Sequence, residues 1–485
     1  MSELVKKSQR VDPSMLVLFG ATGDLSANYL LPAFYHLDAS GFLPDDLKIV
    51  CVGRRDFNEQ SYLDFIIEKS NFLEKLKKPK IKKYFLKHIV YYQGDFSNPD
   101  SFAGLTSVLF NLEKPTHKCY NRLYYFATSP EFFLSIAEML EGAGLLKSCE
   151  VHNRTIRVLV EKPFGFDLKS AKKLNKLLLN YFTEDQIYRI DHYQGKETVQ
   201  NLMVVRFANS IFEPLWSKDN IDHVEISVLE DETVGGRGKF YDRAGALRDM
   251  VQNHLLQMLA LVLMDEPKEL KTELIRDEKL KILKGLKLFS KKDCKTEVVR
   301  GQYGGYMKET GKQSVTETYV ALKVFVDLPR WRGMPIYLRT GKALSKKVTE
   351  ISIHFKEPSK CLFTHCASNI MTLRIQPDES VDLRINNKIP GFGVDLTQKK
   401  LQFGYKKEFE KDLPPAYERL LLDFIQGDQR LFIRSDEIEA AWKFVGSITD
   451  SWRDLPLSMY KKGSHGPEAA ENLIKKDMRE WWTGE

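Results

Sequence analysis

Cysteine, long apolar runs and internal repeats are all scarce in this chain of 485 residues. Its six cysteines are scattered, which suits a reducing cytosol better than a disulfide framework, so we expect a cytoplasmic protein without such a framework. The most apolar helix-like run, residues 255–264, is far shorter than the about 20 residues that a membrane-spanning helix needs. Residues 1–7 lack the apolar core of a secretory signal. We therefore expect neither a membrane protein nor a secreted one.

Two weak signals for other ligands are present. Cys361, His365 and Cys366 lie close together, but no second ligand pair of matching spacing exists, so we expect no metal site. The basic run at 75–83 has too few interleaved aromatic residues for a nucleic-acid platform, and we expect a solvated surface segment there. The formal net charge of +7 is mild for this length and suits an enzyme whose ligands carry phosphates.

The length exceeds the usual size of a single core, so two domains are expected. Between residues 15 and 190, short apolar runs alternate with helical patterns, which indicates a parallel sheet with crossover helices. Most of these runs lack polar alternation, as expected for strands that are covered on both faces. The candidate strands are residues 15–19, 48–52, 89–93, 123–127, 156–160 and 186–190.

The pattern changes after about residue 200, where runs are spaced for an antiparallel sheet. These runs are 222–229, 317–326, 336–340, 350–355, 370–375 and 381–385, with helical patterns at 246–264, 417–425 and 437–445. We therefore predict an α/β plus α+β protein. A Rossmann-type parallel-sheet domain would occupy residues 1–190, and a larger domain with a mostly antiparallel sheet and helices would occupy residues 191–485.

A small-residue turn follows the first candidate strand and opens a helix, in the order Gly20, Ala21, Thr22, Gly23, Asp24, Leu25. Small residues let the backbone approach a pyrophosphate, and a helix N-terminus offers free N–H groups. An ordinary strand–helix turn would look the same. The next strand favours the dinucleotide site, because it ends in Arg54 and Arg55, where an NAD-binding fold usually has an acid for the ribose 2′-hydroxyl. Since guanidinium groups pair well with phosphate, we predict NADP rather than NAD.

The densest group of titratable residues is the nonapeptide at 189–197, which reads Arg-Ile-Asp-His-Tyr-Gln-Gly-Lys-Glu. Burying unpaired charge is costly, so these residues are either paired and used, or part of an exposed charged loop. Their density favours a site that grips a small anionic ligand and handles a proton. Gly195 is expected to let the backbone turn between these two tasks. Arg189 and Glu197 receive no role.

His254 lies on an apolar stripe at helical spacing within residues 246–264. A satisfied core histidine fits this position, and so does a buried neutral imidazole that acts as a base near pH 7. Such a base needs a carboxylate to fix its tautomer, for which Asp191 is the candidate, while Asp249 is a candidate for substrate contact. Lys162 follows the fifth candidate strand in Glu-Lys-Pro-Phe-Gly, at the edge where ligands of open α/β sheets bind. A plain turn before the proline would give the same pentapeptide.

Together these motifs resemble those of the glucose-6-phosphate dehydrogenase family, in the same order and over nearly the whole length. The nonapeptide is highly specific, whereas Glu-Lys-Pro alone also occurs in other sugar oxidoreductases. The segments that carry the resemblance are 20–25, 161–165, 189–197, 249–257, 335–344, 374–379, 417–435 and 463–470.

The resemblance implies oxidation of D-glucose 6-phosphate at C1 to the 1,5-lactone, with hydride transfer to NADP. His254 would be the general base and Asp191 would orient it. The residues implied to hold the 6-phosphate are His192, Tyr193, Lys196 and Lys347. Those implied to bind sugar hydroxyls are Glu230, Asp249, Lys342 and Lys162, the last of which would also reach the cofactor.

The resemblance also implies assembly, since the family is built from homodimers, and a homodimer or higher homo-oligomer is expected. The first domain would bind NADP, and the second would bind substrate and form the dimer. Positioning and base catalysis account for the chemistry, so no metal is called for, nor any nucleic acid or membrane partner.

One position departs from the family pattern. Tyr29 stands where the family has a lysine near both cofactor and substrate, and at neutral pH a phenol brings no positive charge. We assign Tyr29 no role: either activity is lower than is usual in the family, or Lys162 serves alone at that place. Two alternatives stay open: a dehydrogenase for another hexose phosphate, and a catalytically weakened regulator that binds NADPH or a sugar phosphate.

Overall fold

The chain forms two compact units in a computed structural model that describes residues 13–71, 73–75, 83–84, 87–117, 119–147, 154–363, 365–410 and 413–484. The first unit comprises Met1–Gly165, Lys169–Gly195 and Pro414–Ser435, and the second comprises Phe166–Leu168, Lys196–Leu413 and Asp436–Glu485, in each case as far as described. The late segment Pro414–Ser435 belongs to the first unit because Leu420, Phe424 and their neighbours pack in its core. The predicted division at residue 190 follows chain order and stays a prediction.

A six-stranded parallel sheet organises the first unit, in the order β3-β2-β1-β4-β5-β6. Its strands are β1 Ser14–Phe19, β2 Lys48–Gly53, β3 Ile89–Gln93, β4 Asn121–Phe126, β5 Ile156–Val160 and β6 Ile187–Arg189. Every residue of β1 and β4 is buried, as expected for strands with helices on both faces. All six predicted strands are therefore confirmed, and this strand order is the one that doubly wound dinucleotide-binding folds use.

A nine-stranded sheet organises the second unit, in the order β14-β13-β12-β11-β7-β10-β9-β8-β15. Only the pairs β7–β10 and β8–β15 are parallel, so the prediction of a mostly antiparallel sheet is confirmed. Its strands are β7 Ile221–Leu229, β8 Val298–Tyr303, β9 Tyr319–Val324, β10 Ile336–Gly341, β11 Val348–Phe355, β12 Ile370–Gln376, β13 Ser380–Lys388, β14 Leu396–Gly404 and β15 Leu457–Tyr460.

Helices connect and cover the two sheets. The α-helices are Leu31–Ala39, Glu59–Lys69, Pro99–Glu113, Phe133–Gly142, Leu168–Leu179, Glu197–Phe207, Gly238–Ala246, Leu256–Leu263, Thr272–Gly285, Lys291–Glu297, Tyr306–Thr310, Tyr405–Phe409, Ala416–Gln426, Ser435–Thr449 and Glu468–Lys475. Two segments are π-helices, Ser26–Leu30 and Leu247–Leu255. The π-helix is rare and is found frequently at functional sites. Among the described residues, no helix combines the length and the apolar character that crossing a bilayer requires.

Two expectations from composition need comment. Cys361 is disulfide-bonded to Cys366, with their Cα atoms 5.7 Å apart, and Cys119 is also disulfide-bonded, so the expectation of a chain without such pairing is wrong for these residues. Pairing depends on how closely a loop brings two Cα atoms, which cysteine spacing does not reveal. A cytoplasmic location stays a prediction. Most of the basic run at 75–83 lies outside the described residues.

Candidate active site

The turn after β1 is hydrogen-bonded to the end of β2. The N–H groups of Gly20 and Ala21 both donate to the carbonyl of Val52, at 3.2 and 3.1 Å. Gly20 has a φ of 90°, and a Cβ there would lie 2.5 Å from the carbonyl oxygen of Ala127. Glycine is needed at this position because a side chain would be both strained and blocked. The turn and the end of β2 therefore form one continuous edge.

The rest of the turn leads into a helix that begins at Asp24, directly after Gly23. The ammonium group of Lys69 pairs with the exposed Asp24 carboxylate at 2.8 Å and donates to the Thr22 carbonyl at 2.9 Å. Leu25 packs against the core of the first unit. A backbone held in this way presents a helix N-terminus beside the strand ends, as a pyrophosphate requires.

Arg54 and Arg55 directly follow β2, and both side chains are exposed. The guanidinium carbon of Arg55 lies 4.7 Å from the centre of the Phe65 ring, a cation–π contact. Its backbone carbonyl accepts a hydrogen bond from the Tyr91 hydroxyl at 2.7 Å. The carbonyl of Val52 binds the glycine turn, and Arg54 follows Val52 by two residues in the chain. Two exposed cationic side chains thus follow the strand that binds the turn, and their pairing with a phosphate stays a prediction.

The nonapeptide forms a tight turn at the end of β6. Asp191 is buried, and its Oδ1 accepts the N–H of Tyr193 at 2.9 Å. The N–H of Gln194 donates to the Asp191 carbonyl at 3.0 Å. The ring of His192, which is half-buried, lies nearly parallel to the Tyr417 ring, with centroids 6.4 Å apart. The structure thus holds Asp191, His192 and Tyr193 in one ordered turn and not in an exposed loop.

The glycine of the nonapeptide has a different role from the one expected. Gly195 is not among the residues with positive φ, so no unusual backbone turn requires it. A Cβ at Gly195 would instead lie 2.7 Å from the carbonyl oxygen of Ala416 and 2.9 Å from a side-chain carbon of Leu420. Close packing against the helix Ala416–Gln426 explains the glycine. The contact links residues distant in sequence, so the local pattern could not show it.

Arg189 also has a structural explanation. Its side chain is completely buried, and its guanidinium group binds both oxygens of Glu184, at 2.6 and 3.1 Å. Such a two-point pair is strong and fixes the geometry of both side chains. Glu197, the other residue without a predicted role, is exposed as the first residue of its helix.

Beyond β5, Glu161 is buried and takes part in a phenol–carboxylate cluster. Its Oε1 accepts hydrogen bonds from Tyr125 at 2.6 Å and from Tyr417 at 3.3 Å. Burial raises the pKa of Glu161, although both hydrogen bonds oppose this. Lys162, the next residue, is half-buried. Tyr29 lies in the π-helix Ser26–Leu30, is 57% exposed, and has its ring centroid 5.8 Å from that of Tyr417.

In the second unit, Glu230 and Lys342 follow two neighbouring parallel strands. β7 and β10 run side by side with Leu229 opposite Gly341, so the next residue of each strand emerges at the same edge. The ammonium group of Lys342 lies 2.6 Å from Oε2 of Glu230. The lysine is buried, and the N–H of Glu230 donates to the Gly341 carbonyl at 2.9 Å. The two predicted sugar-binding residues are therefore held together.

Tyr241, which no sequence pattern indicated, lies beside this pair. Its ring centre is 5.4 Å from the ammonium group of Lys342. Burial, together with the charges of Asp249, Glu317 and Glu230, raises the pKa of Tyr241 well above its usual value. Asp249 is thus close enough to act on the same phenol as Glu230. A single tyrosine outside any motif carries no signal in one sequence, so this residue was missed.

Asp249 and His254 share the π-helix Leu247–Leu255. Asp249 is half-buried and His254 is completely buried. The predicted helix is confirmed, but its first part has π geometry, in which hydrogen bonds join residues five apart. Two residues with this spacing lie on different sides of an α-helix, which has about 3.6 residues per turn. The π-helix brings Asp249 and His254 towards the same side.

Lys196 and Lys347, both predicted to bind phosphate, have hydrogen-bonding partners of their own. Lys196 donates to Oε1 of Gln376 at 2.6 Å, and Lys347 pairs with Glu232 at 3.0 Å. Burial lowers the pKa of Lys196, the charge of Glu379 opposes this, and the charge of Lys347 adds to it. The two lysines are therefore within electrostatic range of each other. Gln376 and Glu379 belong to a segment that carried the resemblance, which was the available signal for them.

Comparison with known proteins gives two matches to family models. A model described as "Glucose-6-phosphate dehydrogenase, NAD binding domain" matches residues 17–201. A second, described as "Glucose-6-phosphate dehydrogenase, C-terminal domain", matches residues 203–482. Together they cover nearly the whole chain, in one order and without overlap.

Full-length relatives and solved structures agree with these matches. Glucose-6-phosphate 1-dehydrogenase of Borreliella burgdorferi is 40% identical over 97% of this chain and 98% of its own. The protein of the same name from Chlamydia pneumoniae is 42% identical over 97% and 96%. A structure of glucose-6-phosphate dehydrogenase in complex with glucose 6-phosphate is 30% identical, with a TM-score of 0.90 over 97% of this chain and 99% of that one. The Mycobacterium avium enzyme is 34% identical, with a TM-score of 0.84 over the same shares.

Proposed function

The chain belongs to the glucose-6-phosphate dehydrogenase family, and from this premise we propose that NADP is its hydride acceptor and that the residues described above form its site. The enzyme oxidises D-glucose 6-phosphate at C1 to 6-phospho-D-glucono-1,5-lactone, the first step of the oxidative pentose phosphate pathway. A bound pyridine nucleotide supplies the nicotinamide carbon that accepts the hydride. The observation that carries the assignment of the reacting end is the Lys342–Glu230 pair, which lies beside the buried ring of Tyr241.

Support for NADP comes from the end of β2. The close approach of Gly20 to Ala127 and the helix that begins at Asp24 suit a dinucleotide pyrophosphate. Arg54 and Arg55 stand where an acidic residue would select the ribose 2′-hydroxyl of NAD. We propose that the exposed Arg54 pairs with the 2′-phosphate, since Arg55 already contacts Phe65. The residues proposed to bind the cofactor are Gly20, Ala21, Thr22, Gly23, Asp24, Leu25, Arg54, Arg55 and Lys162.

We propose that the substrate phosphate is held by His192, Tyr193, Lys196 and Lys347. A dianionic phosphate needs cations whose positions are already set, and Lys196 is held by Gln376 at 2.6 Å. The half-buried Lys196 is shielded from water, which strengthens its attraction to an anion. Lys347 is more exposed and lies at 3.0 Å from Glu232, so its charge is partly balanced before substrate binds.

The sugar hydroxyls are proposed to bind Lys162, Glu230, Asp249 and Lys342. Carboxylates accept hydrogen bonds from hydroxyl groups, and an ammonium group donates to hydroxyl oxygens. The 2.6 Å contact between Lys342 and Glu230 sets the positions of one donor and one acceptor relative to each other. Such preorganisation removes part of the entropy cost of orienting the substrate.

We propose His254 as the base that takes the proton of the C1 hydroxyl while hydride leaves C1. In this step the O–H bond breaks, the C1–O bond becomes a carbonyl, and the imidazole becomes an imidazolium. His254 is completely buried, so the reacting proton is kept away from bulk water. Asp191 is the proposed carboxylate that orients the imidazole and stabilises its charged form.

Steady-state kinetics with both cofactors and several hexose phosphates test this function directly. Absorbance of the reduced cofactor should rise with glucose 6-phosphate and NADP, and the ratio kcat/KM should be higher for NADP than for NAD. Faster turnover of another hexose phosphate would favour the related dehydrogenase. Binding of NADPH without any turnover would favour the regulator and would contradict the enzyme.

We also propose that the chain forms a homodimer. β14 lies at the edge of the nine-stranded sheet and exposes apolar side chains, including Leu401 at 57% and Phe403 at 38%. An exposed apolar edge strand is a surface that soluble proteins usually cover. Leu401→Glu should reduce the molecular mass measured by light scattering to that of a monomer. Leu270→Glu, at a similarly exposed leucine, is the control and should leave the mass unchanged.

A further inference from the structure

A cleft with a volume of about 360 Å³ lies within the second unit. This volume is within the range of about 300–1,000 Å³ that is usual for small-molecule sites. None of the lining residues is among those proposed to bind substrate or cofactor or to act in catalysis. Whether the cleft can attract an anion depends on whether its two carboxylates neutralise its three guanidinium groups. The charged and aromatic lining residues are Asp242, Arg243, Arg248, Arg300, Glu317 and Trp452.

Arg300 is a buried cation without a counter-ion. It lies in β8, is 7% exposed, and its Nε has no hydrogen-bond partner among the residues that the structure describes. The guanidinium carbon lies 5.5 Å from the centre of the Trp452 ring, a contact that orients the group but satisfies none of its N–H donors. Burial lowers the pKa of Arg300, although the charge of Glu317 opposes this. Because a buried, unpaired charge is costly, this arrangement indicates a ligand that supplies the missing anion.

Both carboxylates of the cleft are engaged elsewhere. Glu317 accepts the N–H of Leu247 at 3.1 Å with one oxygen and the indole N–H of Trp452 at 3.3 Å with the other. Burial raises the pKa of Glu317, while its hydrogen bonds oppose this. Asp242 pairs with the ammonium group of Lys312 at 2.5 Å. The two acids therefore do not supply the direct ion pair that the arginines of the cleft lack.

The other two arginines also lack carboxylate partners in the described part of the chain. Arg248 is half-buried, and its Nε donates to the carbonyl of Phe166 at 3.2 Å, which leaves its two terminal nitrogens for a ligand. Arg243 is exposed in the helix Gly238–Ala246. Guanidinium groups form two-point hydrogen bonds with phosphate, in a geometry that an ammonium group cannot match. Three such groups around one cleft are suited to an anion with several acceptor oxygens.

We propose that this cleft binds a small organic phosphate ester. A phosphate group has three terminal oxygens that accept hydrogen bonds from more than one guanidinium group, whereas a carboxylate has two and is matched by a single arginine. The cleft has room beyond a phosphate ion alone, since a water molecule occupies about 30 Å³. The half-buried indole of Trp452 gives an apolar surface for the organic part. The site shares no residue with the proposed reaction, so it goes beyond that function.

Isothermal titration calorimetry of the full chain with phenyl phosphate tests the proposal. Glucose 6-phosphate and NADPH are kept in excess, which fills the phosphate sites of the proposed reaction without allowing turnover. The parent should bind about one phenyl phosphate per chain, and more tightly than inorganic phosphate. Arg300→Gln should raise Kd by about tenfold or more, the range for a lost hydrogen bond to a charged group. Arg332→Gln, at an exposed arginine of the same unit that pairs with Asp327, is the control and should leave Kd unchanged.

Unfolding temperatures separate ligand binding from a structural role of Arg300. Arg300→Met removes the unpaired charge and keeps an unbranched side chain, so without ligand this variant should unfold at a higher temperature than the parent. Phenyl phosphate should raise the unfolding temperature of the parent and not that of Arg300→Met. If circular dichroism shows that Arg300→Gln is unfolded, Arg248→Gln takes its place, and the same direction of change in Kd is expected.

A parent that binds no phenyl phosphate, or a folded Arg300→Gln variant that binds it as tightly as the parent, would overturn the proposal. A lower unfolding temperature of Arg300→Met without ligand would also overturn it, because Arg300 would then stabilise the fold. Tighter binding of succinate, which carries only carboxylates, would exclude a phosphate ligand. Equal affinities for phenyl phosphate and inorganic phosphate would exclude the ester and assign the cleft to free phosphate.

Discussion

Asp249 and His254 lie one hydrogen-bonded turn apart in the π-helix Leu247–Leu255. In an α-helix the same spacing would place them on different sides, since a turn takes about 3.6 residues. The π-helix therefore brings a half-buried carboxylate and a completely buried imidazole towards one side. This geometry allows one helical segment to provide both the proposed contact to a sugar hydroxyl and the proposed base.

The two residues should separate kinetically. His254→Asn should lower kcat by roughly 10²- to 10⁴-fold with little change in KM, because it removes a general base. Asp249→Asn should chiefly raise KM for glucose 6-phosphate, because it removes a contact to a hydroxyl group. His88→Asn is the control, since His88 is equally buried and binds the Leu47 carbonyl instead. A loss in kcat smaller than about tenfold for His254→Asn would disprove its role as base.

Lys196→Ala should raise KM for glucose 6-phosphate by roughly 10- to 100-fold, the range for losing a hydrogen bond to a charged group. Its ammonium group is already held by Gln376 at 2.6 Å, so Gln376→Ala should have a smaller effect of the same kind. Initial rates with glucose 6-phosphate and with unphosphorylated glucose provide the measurement. An equal loss with both substrates would contradict a role in binding phosphate.

Arg54→Ala should weaken binding of NADP by about tenfold or more and leave NAD nearly unchanged, because the guanidinium group is proposed to pair with the 2′-phosphate. Arg55→Ala is the matched comparison, since that side chain contacts the Phe65 ring. Its effect on the ratio of the two affinities should be smaller. Fluorescence titration with both cofactors measures this ratio, and an unchanged ratio for Arg54→Ala would exclude its proposed role.

Asp423→Asn should stabilise the protein at neutral pH. Burial raises the pKa of Asp423 to about 6, with the charge of Arg419 opposing the shift, against 3.8 as its ordinary value. The folded state therefore binds a proton more tightly, and the free energy of unfolding falls as pH rises from about 4 to about 6. A difference of about two pH units corresponds to about 3 kcal/mol, which is an upper value for the stabilisation.

Denaturant unfolding at pH values from about 4 to about 7 measures this effect. The advantage of Asp423→Asn should grow with pH over this range and should be small near pH 4. Asp428→Asn is the control in which the opposite effect is expected. Burial raises the pKa of Asp428, but the hydrogen bonds from Arg430 outweigh burial, so the pKa is lowered. That variant should be less stable than the parent at neutral pH. A pH-independent effect of Asp423→Asn would show that its carboxyl group does not titrate in this range.

The parallel sheet was predictable because most of its strands are apolar runs without polar alternation, as in the fully buried β1. The strands that were not predicted lack this pattern. β14 reads Leu-Thr-Gln-Lys-Lys-Leu-Gln-Phe-Gly and is largely exposed at the edge of its sheet. β8 is buried but contains Arg300, Gly301 and Gln302. Neither apolar runs nor regular alternation distinguish such strands from loops.

Residue types within single motifs were sufficient to indicate the dinucleotide turn, the arginines after β2 and the nonapeptide, because the required chemistry is local. The predicted role of Gly195, a turn of the backbone, was wrong. Gly195 packs closely against Ala416, and this contact joins segments that are distant in the chain. No sequence pattern indicated that Tyr241 lies beside Lys342.

The amino-acid sequence was thus enough to establish two sheets of different type, a glycine turn with cations beside it, and a crowded motif of titratable residues. The scarcity of cysteine led to a wrong expectation about disulfide bonds. Whether Cys361 and Cys366 can pair depends on how closely their loop brings the two Cα atoms together, which the sequence does not show. The π geometry around His254 and the Lys342–Glu230 pair emerged with the folded chain. Each depends on strand register or helix hydrogen bonding, which places side chains by backbone geometry and leaves no periodic pattern in the sequence.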